Sequence, residues 1–582
     1  MLSAVAESDR RQPPSADEAT TQNAEDDIHL GQVEKPDASE LTGETSTGRI
    51  TDGTTEPSAT TDDEGTEPKK SMGFYLSFTG IQIMVFIYSL DATTLAVAIP
   101  TIAAQLGGTT LESFWASISY LLLAVVTQPL YSAVSDAFGR LAPLYFALLI
   151  FAAGSIVFAT AQSMILVIVG RVLQGIGGGG IDVLGEIIVT DMTTLRERPF
   201  YLGIMALPVA AGSVLGPTFG ALFSDFVTWR WIGWINLPIL GAAFPLVFFF
   251  LRLRSPVTTI SNGLKGLDWL GMALFTSGCT AFVVPLSWAG ALFSWSSWRT
   301  LLPLILGIAV LAIFTVYESK PTAPLMPHRL FRSRTASLTL FGSFIHGMLL
   351  FPLLQYLPLF YQAIILDTRI QVALTMLPTN VICVLAAFVS AIAVGILGRG
   401  YRWGIWLSWI FTTLGAGLLI LMDPSTSSNM QRGIPILCGA GVGGLLRLNQ
   451  LPIQASLKSV DDTGMAVTLL ITFRLLGGLT GLAIGSTMFS NAFAPYVHLI
   501  KGYPDSMALP NDASQAIGFI PHLRTINLPP ETMEITQQAY LASLRQLFYA
   551  MTGFSFLGFL SSLFIEELSI QSTDLGQQRF ED

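Results

Sequence analysis

Three ionisable residues interrupt the apolar stretch 165–190, in which Arg171 is followed by Asp182 and Glu186. The stretch exceeds the ~20 residues that an α-helix needs to cross a bilayer core. At about 100° per residue, Asp182 lies about 20° and Glu186 about 60° from the line through Arg171, so one helix face carries all three. Because ionisable groups inside a membrane are costly, they usually face the interior of a helix bundle. Two interpretations stay open: a carboxylate that binds and releases a proton, or a structural network of ion pairs.

Further charged residues lie in other apolar stretches. Asp91 follows Leu90 near the end of the first stretch, and Arg447 and Arg474 lie in two stretches of the second half of the chain. A carboxyl group in such a position can couple proton uptake to a conformational change, so Asp91 is a second candidate for proton coupling. The alternative is a hydrogen-bonded acid that holds two helices together.

A glycine repeat with an inserted proline lies in the stretch 201–223, at Gly212, Gly216, Pro217 and Gly220. Glycines four residues apart give a helix a flat face, which lets a second helix approach closely. Proline removes one backbone hydrogen bond and permits a kink. The pattern therefore indicates a hinge-like helix contact. Ordinary close packing is the alternative, although it explains the glycines better than the proline.

These residues belong to apolar runs that predict fourteen membrane helices. The chain is 51% hydrophobic and only 12% charged, with a mean hydropathy of +0.58, which is typical of a protein with many membrane spans. The predicted helices are 75–96, 113–133, 142–161, 165–190, 201–223, 232–251, 267–288, 300–317, 335–361, 371–396, 402–422, 433–456, 465–492 and 547–566.

The links between these helices indicate the orientation. An even number of spans places both termini on one side, and the links on that side carry most of the Lys and Arg residues, so we expect cytoplasmic termini. Residues 1–70 hold 17 acidic and 6 basic residues and predict a disordered acidic tail. The outer loop 494–545 is unusually long. Its part Glu531–Arg545 could form an amphipathic helix over the mouth, or the loop is a tolerated insertion.

Several other functions lack their motifs. None of the seven lysines follows a glycine, so there is no nucleotide-binding P-loop of the usual kind. Cys279, Cys383 and Cys438 lie in apolar stretches and suggest small core residues, with neither a disulfide framework nor a zinc site. No catalytic constellation and no basic stripe for nucleic acid is present. We expect no enzyme activity, no cofactor, no metal and no nucleic-acid partner.

Five motifs in chain order resemble those of the major facilitator superfamily, and in particular its fourteen-helix drug:proton antiporters. The resemblance covers about residues 74–568. The motifs are Leu90-Asp91-x-Thr93, Arg171-xx-Gln174-Gly175-x-Gly177, Gly212-xxx-Gly216-Pro217-xx-Gly220, Trp229-Arg230-Trp231-Ile232 with Asn236-Leu237-Pro238, and Arg474-Leu475-Leu476-Gly477-Gly478.

The resemblance implies an all-α fold with two six-helix bundles and two inserted helices. It places the first bundle at 71–255, the inserted helices at 256–320, the second bundle at 321–568 and a C-terminal tail at 569–582. It also implies that the glycine repeat is an antiporter motif. The link after the second helix matches the superfamily's latch at Asp136, Gly139 and Arg140, but it departs at Ser132, Ala137 and Leu141. We expect a weaker or differently built latch.

The resemblance implies a proton-coupled efflux pump of fungal type, which exports small hydrophobic or amphipathic organic compounds by alternating access. We expect a monomer in the lipid bilayer of the plasma membrane, with the vacuolar membrane as the alternative. Asp91, Arg171, Asp182 and Glu186 are the expected coupling residues. Two other functions stay open: a vacuolar carrier of basic amino acids or a siderophore carrier, and a membrane sensor that does not transport.

Overall fold

The computed structural model describes residues 70–108, 110–254, 260–289, 293–321, 324–497, 499–500, 520, 523–524, 529–575 and 578–581. The predicted acidic tail, apart from Lys70, and about half of the outer loop lie outside these residues. The described residues form helices joined by links, with two isolated β-bridges at Leu253–Phe580 and Ala289–Phe293.

The helices fall into a first bundle, an inserted group and a second bundle. The first bundle contains α1 (Met72–Leu106), α2 (Thr110–Phe138), α3 (Leu141–Ala159), α4 (Met164–Met192), α5 (Arg198–Phe226), α6 (Trp231–Trp234) and α7 (Asn236–Phe250). The inserted group contains α8 (Ile260–Gly266), α9 (Trp269–Trp288) and α10 (Trp298–Tyr317). The second bundle contains α11 (Arg334–Phe360), α12 (Arg369–Leu397), α13 (Tyr401–Leu419), α14 (Ser428–Leu448), α15 (Gln450–Ala455), α16 (Thr463–Val497) and α17 (Pro530–Ser562).

Each of the fourteen predicted segments coincides with a helix. In the described part of the chain, twelve helical segments are long and apolar enough to cross a membrane, and α13 and α17 are not among them. The prediction of fourteen spans is therefore supported by length and composition for twelve. The last helix begins at Pro530, well before the predicted residue 547. The segment Glu531–Arg545 is helical, which was one of the two interpretations, and it continues directly into the last helix.

Two predicted helices are interrupted where a proline follows. The helical hydrogen-bond pattern breaks at Ile235 and at Asn449. Proline has no backbone N–H, so Pro238 and Pro452 cannot donate the usual helical hydrogen bond to the carbonyls of Trp234 and Leu448, four residues earlier. Each interruption begins directly after one of these two carbonyls. Both interruptions lie next to polar residues of the candidate site.

Helix–helix contacts define the two bundles and the interface between them. In the first bundle α1 packs on α5, and α4 packs on α2 and α3. In the second, α16 packs on α11 and α14 packs on α12 and α13. The bundles meet where α5 contacts α12 and where α16 contacts α2 and α4. The inserted α9 packs on α10 and contacts both α2 and α16.

Both ends of the described chain lie at one end of the molecule, which we call the terminal face. The Phe74 and Phe580 rings are 5.7 Å apart, and Lys70 bonds to Glu197 in the link before α5. The bundles approach each other near this face, because a Cβ at Gly203 of α5 would lie 3.3 Å from Ala391 Cβ of α12.

A second close approach lies at the same end of these two helices. A Cβ at Gly395 of α12 would lie 3.3 Å from Pro199 Cβ of α5. The two bundles are therefore in close contact at the terminal face.

Candidate functional site

A buried ion pair joins α4 to α1 within the first bundle. Arg171 Nη1 donates to Asp91 Oδ2 at 2.6 Å, and Arg171 Nη2 donates to the Asp91 backbone carbonyl at 3.4 Å. Each residue is 1% exposed. The guanidinium also lies 4.3 Å from the ring centroid of Tyr120 on α2. Arg171 therefore connects three helices of one bundle.

Three amide and hydroxyl side chains complete this pair. Gln174 Nε2 and Asn236 Nδ2 donate to Asp91 Oδ1 at 3.1 Å and 2.9 Å. The same two nitrogens donate to Ser155 Oγ on α3, each at 3.1 Å. Among the described residues, every side-chain donor to the Asp91 carboxylate comes from the first bundle. We call Asp91, Arg171, Gln174, Asn236 and Ser155 the Asp91 network.

The glycine repeat of α5 packs against the part of α1 that carries Asp91. A Cβ at Gly212 would lie 2.7 Å from the Leu90 backbone nitrogen. A Cβ at Gly216 would lie 2.9 Å from the Leu90 carbonyl oxygen and against Thr93 Oγ1. The two backbones are thus close enough to exclude any side chain at these positions.

The remainder of the repeat extends this contact. A Cβ at Gly220 would collide with the Thr94 carbonyl oxygen. Pro217 lies inside α5 and cannot donate to the Ser213 carbonyl, whereas the Ser213 hydroxyl lies 2.9 Å from Ser89 Oγ on α1. The structure therefore places the predicted motif at a close helix contact, and its role in transport stays a prediction.

A second buried ion pair crosses from the first bundle to the second. Arg447 Nη1 on α14 donates to Glu186 Oε1 at 2.8 Å, and Gln450 Nε2 on α15 donates to Glu186 Oε2. Glu186 is 3% exposed and Arg447 is 2% exposed. Within the described chain, both hydrogen-bond donors to the Glu186 carboxylate belong to the second bundle. We call Glu186, Arg447 and Gln450 the Glu186 network.

Asp182 connects the bundles through a glutamine. Gln128 Nε2 on α2 donates to Asp182 Oδ2 at 2.9 Å, and Thr472 Oγ1 on α16 donates to Gln128 Oε1 at 3.4 Å. Arg474, also on α16 and 9% exposed, is close enough to Asp182 to interact with it electrostatically. This polar contact therefore lies at the same interface as the Glu186 network.

The predicted polar face of α4 is divided between different neighbours. Arg171 and Asp182 are eleven residues apart, which is about 16 Å along a helix axis. Arg171 therefore reaches the Asp91 network, whereas Asp182 and Glu186 reach the interface between the bundles. The helical angle indicated a shared direction but not the helix that each residue contacts. The proposed coupling roles of the four residues stay predictions.

The predicted latch is built around Arg140, which is buried. Arg140 Nε donates to Asp191 Oδ2 at 2.9 Å, and Nη1 donates to Ser135 Oγ at 2.7 Å and to Asp136. Burial opposes the charge of Arg140, but the Asp191 and Asp136 carboxylates outweigh it and raise the Arg140 pKa above its usual range. Gly139 has a φ of 88°, a left-handed conformation that glycine adopts without strain. The latch thus uses Asp191, a partner outside the predicted motif.

Sequence reasoning missed several polar residues of the site. Gln128 lies in an apolar run just before Pro129, so the rule that selected the charged residues could also have selected it. Ser155 and Thr472 carry no such signal, because hydroxyl side chains in helices often bond only to their own backbone. Asp191 lies at the end of α4, where an acidic residue usually indicates no more than the membrane surface.

The chemistry available at these sites is protonation and ion pairing. Among the described residues, no group of three or more His, Cys, Asp or Glu side chains could hold a metal ion. A proton on Glu186 would remove the charge that attracts Arg447. A proton on Asp91 would do the same for Arg171, but within one bundle.

Comparisons with known proteins all point to membrane transporters. The family model of the Major Facilitator Superfamily matches residues 81–482. The MFS-type transporter sphD of Aspergillus fumigatus is 50% identical over 94% of this chain and 95% of the relative. The efflux pump FUS6 of Gibberella moniliformis is 32% identical over 89% of this chain and 92% of the relative. The crystal structure of the human organic anion transporter MFSD10 matches 85% of this chain and 100% of its own, with a TM-score of 0.55 and 14% identity.

Proposed function

Because the chain belongs to the Major Facilitator Superfamily, we propose that it exports small hydrophobic or amphipathic organic compounds, such as drugs, secondary metabolites or toxins, in exchange for protons. Its relative FUS6 is named an efflux pump, which supports export as the direction. In this proposal residues 71–255 and 321–568 are two bundles that open alternately to the two sides of the membrane, with residues 256–320 inserted between them.

The observation that carries the proposal is the Glu186 network. Both donors to the Glu186 carboxylate lie on the second bundle, so this ion pair holds the bundles together near the terminal face. A buried ion pair is stable only while both partners are charged, since a single buried charge is costly. Protonation of Glu186 therefore weakens the contact between the bundles, and loss of the proton restores it.

This dependence gives the direction of coupling. The carrier takes up a proton while it is closed at the terminal face, and the bundles then separate there. The proton leaves on that side, the substrate binds, and the ion pair between Glu186 and Arg447 forms again as the carrier closes. Each cycle moves one or more protons inward and the substrate outward.

The same proposal assigns an orientation and a membrane. Cytoplasmic termini make the terminal face the cytoplasmic side, and the Lys and Arg residues of the links on that side support this orientation. Export from the cell requires the plasma membrane, and export into the vacuole is the alternative. We also propose that the protein acts as a monomer.

A carrier of basic amino acids or of siderophores is less well supported. A cationic substrate needs a carboxylate that is available for binding. Asp182 accepts from Gln128, and Glu186 accepts from Arg447 and Gln450. Both carboxylates therefore already have donors in this conformation, which favours a neutral or amphipathic substrate. The intact Asp91 and Glu186 networks also give no support to a sensor that does not transport.

The experiment measures export by cells that express the chain. From a panel of lipophilic dyes, the compound whose accumulation the parent chain lowers most serves as the probe. A protonophore should abolish the difference between expressing and non-expressing cells. Glu186→Gln should reduce export at least about tenfold while leaving the amount of protein in the membrane unchanged, because it removes one charge from the interface. Glu531→Gln, an exposed acid on α17, is the matched control.

Asp91→Asn decides between the two carboxylates. If Asp91→Asn keeps uphill export that depends on pH while Glu186→Gln loses it, the coupling proton belongs to the Glu186 network. The opposite result places it in the Asp91 network. Export that persists in full with the protonophore would contradict proton coupling altogether.

A further inference from the structure

Beyond α17, the described residues 563–575 and 578–581 form a non-helical segment at the terminal face, which first runs along the second bundle. Leu568 N donates to the Tyr401 hydroxyl at 2.6 Å, and that hydroxyl donates to the Glu566 carbonyl at 2.8 Å. The Glu567 carboxylate accepts from Gly400 N at 2.5 Å and from Arg402 N at 3.0 Å. The beginning of the segment is therefore fixed to the start of α13.

The same segment then crosses to the first bundle. Arg196 N, in the link before α5, donates to the Ser572 carbonyl at 3.3 Å. Gln578 Nε2 donates to the Ser135 carbonyl at the end of α2 at 3.3 Å. These two contacts lie on the link before α5 and on the end of α2, so both belong to the first bundle.

The end of the segment is fixed to the link after α7. Arg254 N donates to the Arg579 carbonyl at 3.0 Å, and Glu581 N donates to the Arg252 carbonyl at 2.9 Å, which makes an antiparallel bridge centred on Leu253 and Phe580. Phe580 also packs on Phe74 of α1. The two attachments therefore lie on different bundles.

A polar cavity of about 500 Å³ lies beneath this crossing. Its lining includes Arg140 and Asp191 of the first bundle and Gln578 of the crossing segment. It also includes Arg329 in the link before α11 and Asp462 in the link before α16. Gln578 of the segment thus lines a space that the two bundles share with the inserted group.

We propose that this segment (residues 563–575 and 578–581) is a strap that holds the terminal face closed and must detach from the first bundle in every transport cycle. The strap is fixed to both bundles, so they cannot separate at this face while both attachments hold. The attachment to the first bundle is the one that releases, because it consists mainly of hydrogen bonds to backbone carbonyls and one half-buried phenyl ring. The attachment to the second bundle includes a carboxylate bound by two backbone N–H groups, a stronger kind of hydrogen bond. This inference rests on the proposed function, since it requires opening at the terminal face.

The first experiment fixes the strap with a disulfide. Cα atoms of bridged antiparallel partners are about 4.5–5.5 Å apart, which falls within the range of about 4.4–6.8 Å that disulfides span. Oxidation of Leu253→Cys/Phe580→Cys in the full-length chain should stop export of the probe dye, and reduction should restore it. The control is Thr335→Cys/Glu566→Cys, which joins the strap to its own bundle, where Glu566 N bonds to Thr335 Oγ1. Oxidation of this pair should leave export unchanged.

The second experiment measures opening without transport. Spin labels at Ala142 near the start of α3 and at Lys458 before α16, both exposed, report the distance between the bundles at the terminal face. Removal of residues 572–582 should raise the population with the longer distance about tenfold, which corresponds to about 1.4 kcal/mol. The locked pair should suppress that population.

The two experiments separate failure of the strap from failure of the proposed function. Full export by the oxidised Leu253→Cys/Phe580→Cys chain overturns the strap, and so does an unchanged distance distribution after truncation. If the lock stops transport although a protonophore has no effect on the parent, the strap holds and proton coupling is the part that fails.

Discussion

The Asp91 network and the Glu186 network contain the same kinds of groups but connect different parts of the molecule. Each has a carboxylate, an arginine and a glutamine, and the two ion pairs are buried to the same degree. The donors to Asp91 lie on α4 and α7, in its own bundle, whereas the donors to Glu186 lie on α14 and α15, in the other bundle.

This difference indicates different roles for the two ion pairs. A transport cycle that separates the bundles at the terminal face breaks the Glu186 network and leaves the Asp91 network intact. The Asp91 network can therefore keep the geometry of the first bundle constant, including the glycine contact between α1 and α5. Burial and charge alone do not distinguish a structural ion pair from one that opens during the cycle. The helices that the pair connects provide that distinction.

The largest expected effect tests the stability of the Asp91 network. Asp91→Ala leaves the Arg171 charge buried without its partner, which should cost about 3–5 kcal/mol of folding free energy. Adding Arg171→Leu should recover most of this loss, because an apolar side chain can replace a buried charge. Glu186→Ala should cost less, since Arg447 gains access to water when the bundles separate.

Thermal unfolding of the purified chains in detergent measures these differences. The matched double variant of the other network is Glu186→Ala/Arg447→Leu. Equal losses of stability for Asp91→Ala and Glu186→Ala would contradict the distinction between a network that stays closed and one that opens.

An intermediate effect is expected from the hydrogen-bonding residues of the two regions. Gln128→Leu leaves the Asp182 carboxylate without its glutamine donor and removes the bond to Thr472, at a cost of about 1–3 kcal/mol. Because the bond to Thr472 crosses the interface, this variant should favour opening at the terminal face and change the pH dependence of export. Ser155→Ala keeps both bonds from Gln174 and Asn236 to Asp91, so it should lower the unfolding temperature slightly and leave opening unchanged.

The same spin labels on α3 and before α16 compare these two variants. A shift in the distance distribution that is as large for Ser155→Ala as for Gln128→Leu would show that both regions respond to bundle separation. The difference between the regions would then be one of degree.

The sequence predicted where most of the helices lie, because an apolar run depends on local composition alone. The coupling roles of the charged residues stay predictions. The pairing of Arg171 with Asp91, 80 residues apart, depends on how α1 packs on α4, and no local pattern specifies it. The angular argument for α4 was correct around the axis but ignored the distance along it. The start of α17 at Pro530 was missed because residues 530–546 are too polar to form part of an apolar run. The latch partner Asp191 was missed because its contact with Arg140 depends on the relative position of two helix ends.

The smallest expected effect concerns an ion pair at the surface of the terminal face, which serves as a third case beside the two buried networks. Lys70 Nζ lies 3.0 Å from Glu197 Oε1, and both side chains are partly exposed. Burial opposes the charge of Glu197, but the backbone N–H of Thr194 and the Lys70 ammonium outweigh it and lower the Glu197 pKa.

A carboxylate whose pKa is lowered by folding stabilises the fold above its unfolded pKa of about 4.3 and loses that contribution as the pH falls through the folded value. Lys70→Met should therefore cost less than about 1 kcal/mol at pH 7, and the difference from the parent should shrink as the pH falls from about 4.3 through the lowered Glu197 pKa. Unfolding temperatures at pH 7 and along this acid range measure the change, with Lys70→Arg as the control that keeps the charge. A difference that persists unchanged in acid would mean that Lys70 acts through its contact with the Phe74 ring, 5.1 Å away, rather than through Glu197.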